Sequence, residues 1–232
     1  QQASLKNDVF LIGDSSNKFL GNLTRVTHLN LKDYYTDIDK FLGCYKHLHT
    51  GGRTFEEWCF IRWLAVRNVA KKLQLENIFY SDSDNLIYSD LGQVYKQIGE
   101  PSFSLSIPED QPPFRHAATG EVSYWKYDVL DNFCDFLLNM YEDSFEFGRL
   151  LQKWNWHKAN NLPGGICDMT LLWHFTNITE HTVLTTVLNG NTTFDHSINN
   201  SCNHKNDEYL MEGGLKKIEF IDNTPYGYNI CL

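Results

Sequence analysis

The chain has 232 residues, 42% of them hydrophobic and 14% aromatic, with a formal net charge of -9. That length and apolar share suit one large domain with a sizeable core. The negative charge disfavours a broad nucleic-acid backbone binder, which carries a basic face, and an acidic chain that takes a phosphorylated ligand needs a local device such as a bound cation.

No run approaches the roughly 18 apolar residues of a membrane span, and the opening residues 1–6 are too polar for a secretory signal. The six cysteines are scattered without a CxxC pair, which argues against a zinc site and for free thiols in a reducing compartment. A cytoplasmic location is therefore expected. The N-x-S/T sequons at Asn22, Asn177, Asn191 and Asn199 leave a secretory lumen as the alternative.

In chain order, residues 9–12 form a short apolar run that stops at Gly13-Asp14-Ser15, as a buried strand running into a turn. Residues 25–29 predict a second strand. Thr54 with Glu57 three positions later reads as a capping box, opening a helix on which Trp58, Ile61, Ala65, Val69 and Leu73 recur at helical spacing. Residues 78–80 then predict a strand, with a short continuation over 86–88. Strand, helix, strand in that order predicts a βαβ unit and a largely parallel sheet.

Further along, residues 103–107 predict a strand in a proline-rich loop, 128–141 a helix, and 162–165 a turn. A helix is expected over 168–175, a polar loop over 192–212, a late strand over 216–221 and a turn over 224–227.

The strongest chemical signal is Ser81-Asp82-Ser83-Asp84-Asn85, directly after the strand at 78–80. Ligands of open α/β sheets bind beyond the carboxyl ends of strands. Two carboxylates two positions apart repel unless a positive charge relieves them, and Mg²⁺ or Mn²⁺ would do so through Asp82, Asp84 and a substrate's phosphates. An ordinary solvated Asx turn is the plainer alternative.

Arg62 lies on the same helical stripe as Trp58 and Ala65. A charge there needs an anionic partner, either a carboxylate after the next strand or a donor's sugar and phosphates, unless its head snorkels to water. Gly164-Gly165-Ile166-Cys167-Asp168 delivers a carboxylate to the start of a helix, where it is a general base, a group that orients a sugar, or a simple cap. Gly13 and Asp14 could line a nucleoside pocket or make a tight turn. His196, beside Asp195 in the polar tail, is a candidate third metal ligand with His204 as its rival.

Together these segments resemble the GT-A glycosyltransferases. The resemblance is clearest over residues 56–90, where Arg62 on the helix and the D-x-D at Asp82 and Asp84 look like the pairing in such enzymes, including the family 8 transferases. Small bacterial and viral glycosyltransferases are similar in carrying a Gly-Gly-x-x-Asp-Met-Thr segment, matched here by residues 164–170.

The resemblance implies a single GT-A (Rossmann-like) α/β domain over 1–232, its mixed, largely parallel sheet flanked by helices, with a nucleotide-sugar half over about 1–110 and an acceptor half over about 111–232. It implies Asp82 on ribose or metal, Asp84 on metal, and Arg62, Gly13 and Asp14 on the donor, with Asp168 beside the reacting sugar. The activity expected is transfer from a nucleotide sugar, with a UDP-sugar first in line, to a glycan or glycoprotein acceptor, with Mn²⁺ or Mg²⁺. The rivals are a sugar nucleotidyltransferase and a non-catalytic carbohydrate-binding module. The first wants a glycine-rich, basic loop after the first strand, and residues 13–18 are a poor match.

Overall fold

The computed structural model describes residues 7–85, 87, 89–108, 111–184, 194, 210–217, 219–221 and 224–226. It is a mixed α/β structure. Strands β1 (Val9–Gly13) and β2 (Val26–Asn30) pair in parallel as a small sheet of their own, joined through a short 3-10 helix at Lys18–Asn22. A second 3-10 turn at Leu31–Tyr34 and helix α1 (Ile38–Cys44) lead to α2 (Arg53–Leu73).

The main sheet has four strands: β3 (Asn77–Ser81), β4 (Phe103–Ser106), β5 (Thr119–Lys126) and β6 (Thr182–Val183), in the order β3-β5-β4-β6. β5 runs antiparallel to both neighbours, and only β4 and β6 are parallel. The expected mixed sheet is present, but it is not largely parallel: of its three strand pairings two are antiparallel. The βαβ unit does not close by direct pairing, because β2 and β3 belong to different sheets. The cause is β5, a strand that the sequence pattern hides. It is central, buried on both faces over much of its length, and so lacks the alternation that marks a half-exposed strand.

Helices α3 (Leu91–Gln97), α4 (Tyr127–Glu142), α5 (Ser144–Ala159) and α6 (Asp168–Thr176) complete the helical set. The core is one cluster, with Phe60, Trp63 and Leu64 of α2 packed among Phe103, Trp125, Phe133, Leu137 and Leu171. α2 is buried nearly all round in its middle turns, as expected of a helix covered on more than one side. Ile61, Ala65 and Val69 are buried as their spacing predicts, whereas Trp58 and Leu73, nearer the two ends, are exposed. Arg67, on the same helix, is buried and ties α2 to Asp37 at 2.8 Å and to Asp135 of α4 at 3.0 Å.

The capping box does not form. α2 starts two residues earlier than a Thr54 cap implies, at Arg53, with Gly52 as its cap and no side-chain cap bond, and Glu57 pairs with Arg53 at 2.7 Å instead. The sequence pattern does not reveal α5, although Asp143, three residues before Glu146, marks its start. Asp143 Oδ1 accepts from the Phe145 and Glu146 amides at 2.8 and 3.0 Å. Its buried stripe is Leu150, Lys153 and His157, in which two of the three residues are basic.

Near the C-terminus, β7 (Met211–Glu212) and β8 (Leu215–Lys216) make a hairpin. β9 (Glu219–Ile221) pairs with β10 (Thr224–Tyr226), so residues 224–226 are a strand where a turn was expected. Among the described residues no helix is long and apolar enough to cross a membrane.

Candidate functional site

Four elements meet at the carboxyl end of β3: the middle of α2, the exit of β3, the start of β5 and the first turn of α6. The joints are backbone bonds. Asp82 N–H donates to Glu121 O at 2.9 Å, tying the β3 exit to β5, and Ala118 N–H donates to Met169 O at 3.0 Å, tying the approach to β5 to α6.

Arg62 is the hub. Its Nη1 donates to both carboxylate oxygens of Asp82, at 2.9 and 3.0 Å. Its Nη2 and Nε donate to Asp168 Oδ2, at 2.6 and 3.2 Å. A planar guanidinium with a fixed fork of donors suits such a double clamp, where a lysine would not. Burial opposes the Arg62 charge, but the carboxylates of Asp168 and Asp82 and the Tyr80 oxygen outweigh it and raise its pKa.

Asp168 is only 2% exposed. A carboxylate so deep requires several donors. Besides Arg62, the Trp63 indole Nε1–H donates to Oδ2 at 2.9 Å, and the Met169 amide donates to Oδ1 at 2.9 Å. Asp168 does begin α6, but Cys167 holds the cap position and makes no side-chain cap bond. The Trp63 ring reaches Asp168 past Gly120 of β5, where an added Cβ would stand 2.6 Å from two indole carbons.

Asp82 is part-buried, and Tyr80 donates its hydroxyl proton to Asp82 Oδ1 at 2.5 Å. Burial first, and then that bond to the carboxylate, raise the Tyr80 pKa and keep it a donor. Asp84 is exposed and makes no hydrogen bond or ion pair with the described residues. Glu121 of β5 lies within the field of both aspartates. Burial and then the charges of Asp82 and Asp84 raise its pKa, with Arg62 opposing. Cys59, one turn before Arg62, is pushed up to about 12 by burial and by Asp168, so it is no thiolate nucleophile.

Of the residues singled out in the sequence, Arg62, Asp82 and Asp168 are brought together. Gly13 and Asp14 are not joined to them. Asp14 is exposed in a turn of its own, accepting from Ser16 N and Oγ at 2.8 and 2.6 Å, and these bonds lower its pKa. Asp195, His196 and His204 lie outside the described residues, as do Leu86 and Tyr88 of the expected strand continuation.

Three participants were missed. Tyr80 was findable, because it stands two residues before Asp82 and alternate strand residues share a face. Trp63 and Glu121 were not, since their places depend on β5. No family model matches the chain, and no curated protein and no solved structure matches it either.

Proposed function

We propose that the chain is a metal-dependent glycosyltransferase that takes a sugar from a nucleotide sugar, the UDP-sugars being the first donors to test, and passes it to a glycan or glycoprotein hydroxyl. One observation carries the reading: Arg62 braces Asp82 and Asp168 at the carboxyl end of β3 while Asp84 stands exposed two residues beyond.

In this reading Arg62 is a brace rather than a donor ligand, because its Nε and both terminal nitrogens are engaged by carboxylates. Asp168 positions Arg62. With its oxygens taken by Arg62, Trp63 and Met169, it is poorly placed to accept a proton from an incoming hydroxyl. Trp58 is 47% exposed one turn before Arg62 and offers an aromatic face for a sugar ring.

The acid set fits a hard cation. Asp82 and Asp84 would supply oxygen ligands, and Glu121, its carboxyl raised by burial first and by the charges of Asp82 and Asp84 second, lies close to both. Among the described residues no three His, Cys, Asp or Glu side chains already converge on a metal position. Mg²⁺ or Mn²⁺ does not require such a cage, since one or two carboxylates with substrate phosphates can hold it. A bound cation would neutralise the departing diphosphate.

The test is thermal melting with UDP alone, Mn²⁺ alone and both together. Wild type should be stabilised most by the pair, and Asp84→Ala should lose that added shift while its ligand-free melting stays within about 0.5 kcal/mol of wild type. A panel of nucleotide sugars that produces neither a metal-dependent shift nor turnover would remove the proposal.

A further inference from the structure

Near the Arg62 centre, α2 is open along one line only. Between Phe55 and Arg67 it is buried at Glu56, Phe60, Ile61 and every position from Trp63 onward. Phe55 is 70% exposed and Trp58 is 47% exposed, while Glu57, Cys59 and Arg62 are partly open. Helix residues three, four and seven apart share a face, so Phe55, Trp58 and Arg62 form one strip. Trp58 stands ~6 Å of helix rise before Arg62, and Phe55 ~10.5 Å before it. The strip ends at the Arg62 guanidinium, 2.9 Å from Asp82, with Asp84 exposed just beyond.

Neither ring has work inside the protein. The other large aromatics of α2, Phe60 and Trp63, are fully buried, whereas Phe55 and Trp58 make no ring, cation–π or hydrogen-bond contact with the described residues. Scaled from about 150–250 Å² for each aromatic side chain, the two expose roughly 200–300 Å². A stable protein partner covers about 800 Å² on each side. The margin is also charged: the Arg53 side chain is 61% exposed and pairs with Glu57 at 2.7 Å. A strip this narrow and this polar at its edge suits a sugar chain better than a second copy of the protein.

A pyranose presents an apolar C–H face inside a rim of hydroxyls. An exposed aromatic ring takes that face while the rim stays with water and polar neighbours. The unpaired indole N–H of Trp58 adds a donor for one hydroxyl. Side chains three apart on a helix have Cβ atoms about 5–6 Å apart. That is near the length of one sugar ring, so consecutive rings can meet consecutive aromatics.

We propose that Phe55 and Trp58 are the acceptor platform for an oligosaccharide, with the reacting sugar beside Arg62 and Asp82, the next ring on Trp58 and a third on Phe55. This rests on the glycosyltransferase reading and narrows its acceptor to a chain of sugars. In that reading the donor's phosphates go to Asp82 and Asp84 at the exit of β3, which leaves the α2 strip to the acceptor. Both aromatic side chains face solvent, so their alanine variants should melt within about 2 °C of wild type.

The experiment measures transfer from UDP-glucose, UDP-galactose, UDP-xylose and UDP-N-acetylglucosamine with Mn²⁺. The acceptors are glucose, galactose, xylose and N-acetylglucosamine, and the di- and trisaccharides of each. Wild type should prefer a trisaccharide to its monosaccharide by on the order of 100-fold in kcat/KM, about 10-fold for each ring stacked. Trp58→Ala should raise the KM of di- and trisaccharides on the order of 10-fold and move the donor KM by less than about twofold. Phe55→Ala should raise the KM of the trisaccharide alone, and Trp58→Tyr should recover most of what Trp58→Ala loses. Equal KM for mono- and trisaccharides in wild type, or an unchanged acceptor KM in both alanine variants, overturns this inference and leaves the transferase reading standing. So does a wild-type dimer in sedimentation that Trp58→Ala dissolves, or UDP release with no transfer to any of these saccharides. No UDP release by wild type from any of the four donors overturns both.

Discussion

Replacing Asp168 with asparagine keeps the shape of the side chain and removes its charge. In the native protein one oxygen takes Nε and Nη2 of Arg62 and Nε1 of Trp63, while the other takes the Met169 amide. An asparagine can satisfy one of those sets through its carbonyl, but its NH₂ group then faces a donor on the other side. Removing one partner of a buried ion pair costs about 3–5 kcal/mol. Arg62 retains Asp82, which is partly exposed, so we expect a loss of about 2–4 kcal/mol here.

For a chain of this length each kcal/mol shifts the melting temperature by roughly 2–4 °C, giving a drop of ~5–15 °C. Differential scanning calorimetry and urea denaturation should agree on it. Trp63→Phe removes the indole donor and leaves a cavity where the larger, fully buried ring packed, so it should cost at least the ~1.5–3 kcal/mol of a hydrogen bond to a charged group. The double variant should lose less than the sum, because both changes act on the same oxygen. A melting temperature for Asp168→Asn within about 2 °C of wild type would refute the account of Arg62 as a brace that depends on this carboxylate.

Two further outcomes follow from the same packing. Lys153 is 5% exposed and donates to His116 O at 2.7 Å and Thr170 Oγ1 at 2.8 Å, and burial lowers its pKa from 10.5 to about 8. Below the folded value the lysine is protonated in both states and its burial opposes folding, by on the order of 3 kcal/mol. Between about 8 and 10.5 the unfolded chain binds more protons, so stability rises with pH through that window. The urea midpoint of wild type should gain on that of Lys153→Met as pH increases there, and a constant difference would refute it. Gly165→Ala should destabilise the chain by at least the ~1–3 kcal/mol of an overpacked site, because the new methyl meets Leu48 O and the His49 backbone, and it should reduce turnover with it. Native-like melting and activity together would show that residues 48–50 and 164–166 do not need this close approach.

Much of the local structure was legible. α2 and α4 carry helical periodicity over long stretches, α6 is a short apolar segment after a glycine turn, and β1 and β3 are short apolar runs bounded by turn residues. Strand β5 and helix α5 were not legible from pattern. β5 is covered on both faces over much of its length and so never alternates, and the buried stripe of α5 includes a lysine and a histidine. The Thr54 box failed for a different reason: Glu57 found a stronger partner in Arg53 four residues back.

Arg62, Asp82 and Asp168 could be picked out singly because each places a charge where the surrounding pattern is apolar or where a strand or loop ends. Such features are local, and local features survive in one dimension. The meeting of Asp82 with Asp168 around one guanidinium, the reach of Trp63 past Gly120, and the seating of His49 on Gly165 join residues up to 116 positions apart. Only the tertiary structure decides those, because they depend on which strand lies between β3 and β4 and on how closely two backbones approach. Neither quantity is written in the spacing of any single segment.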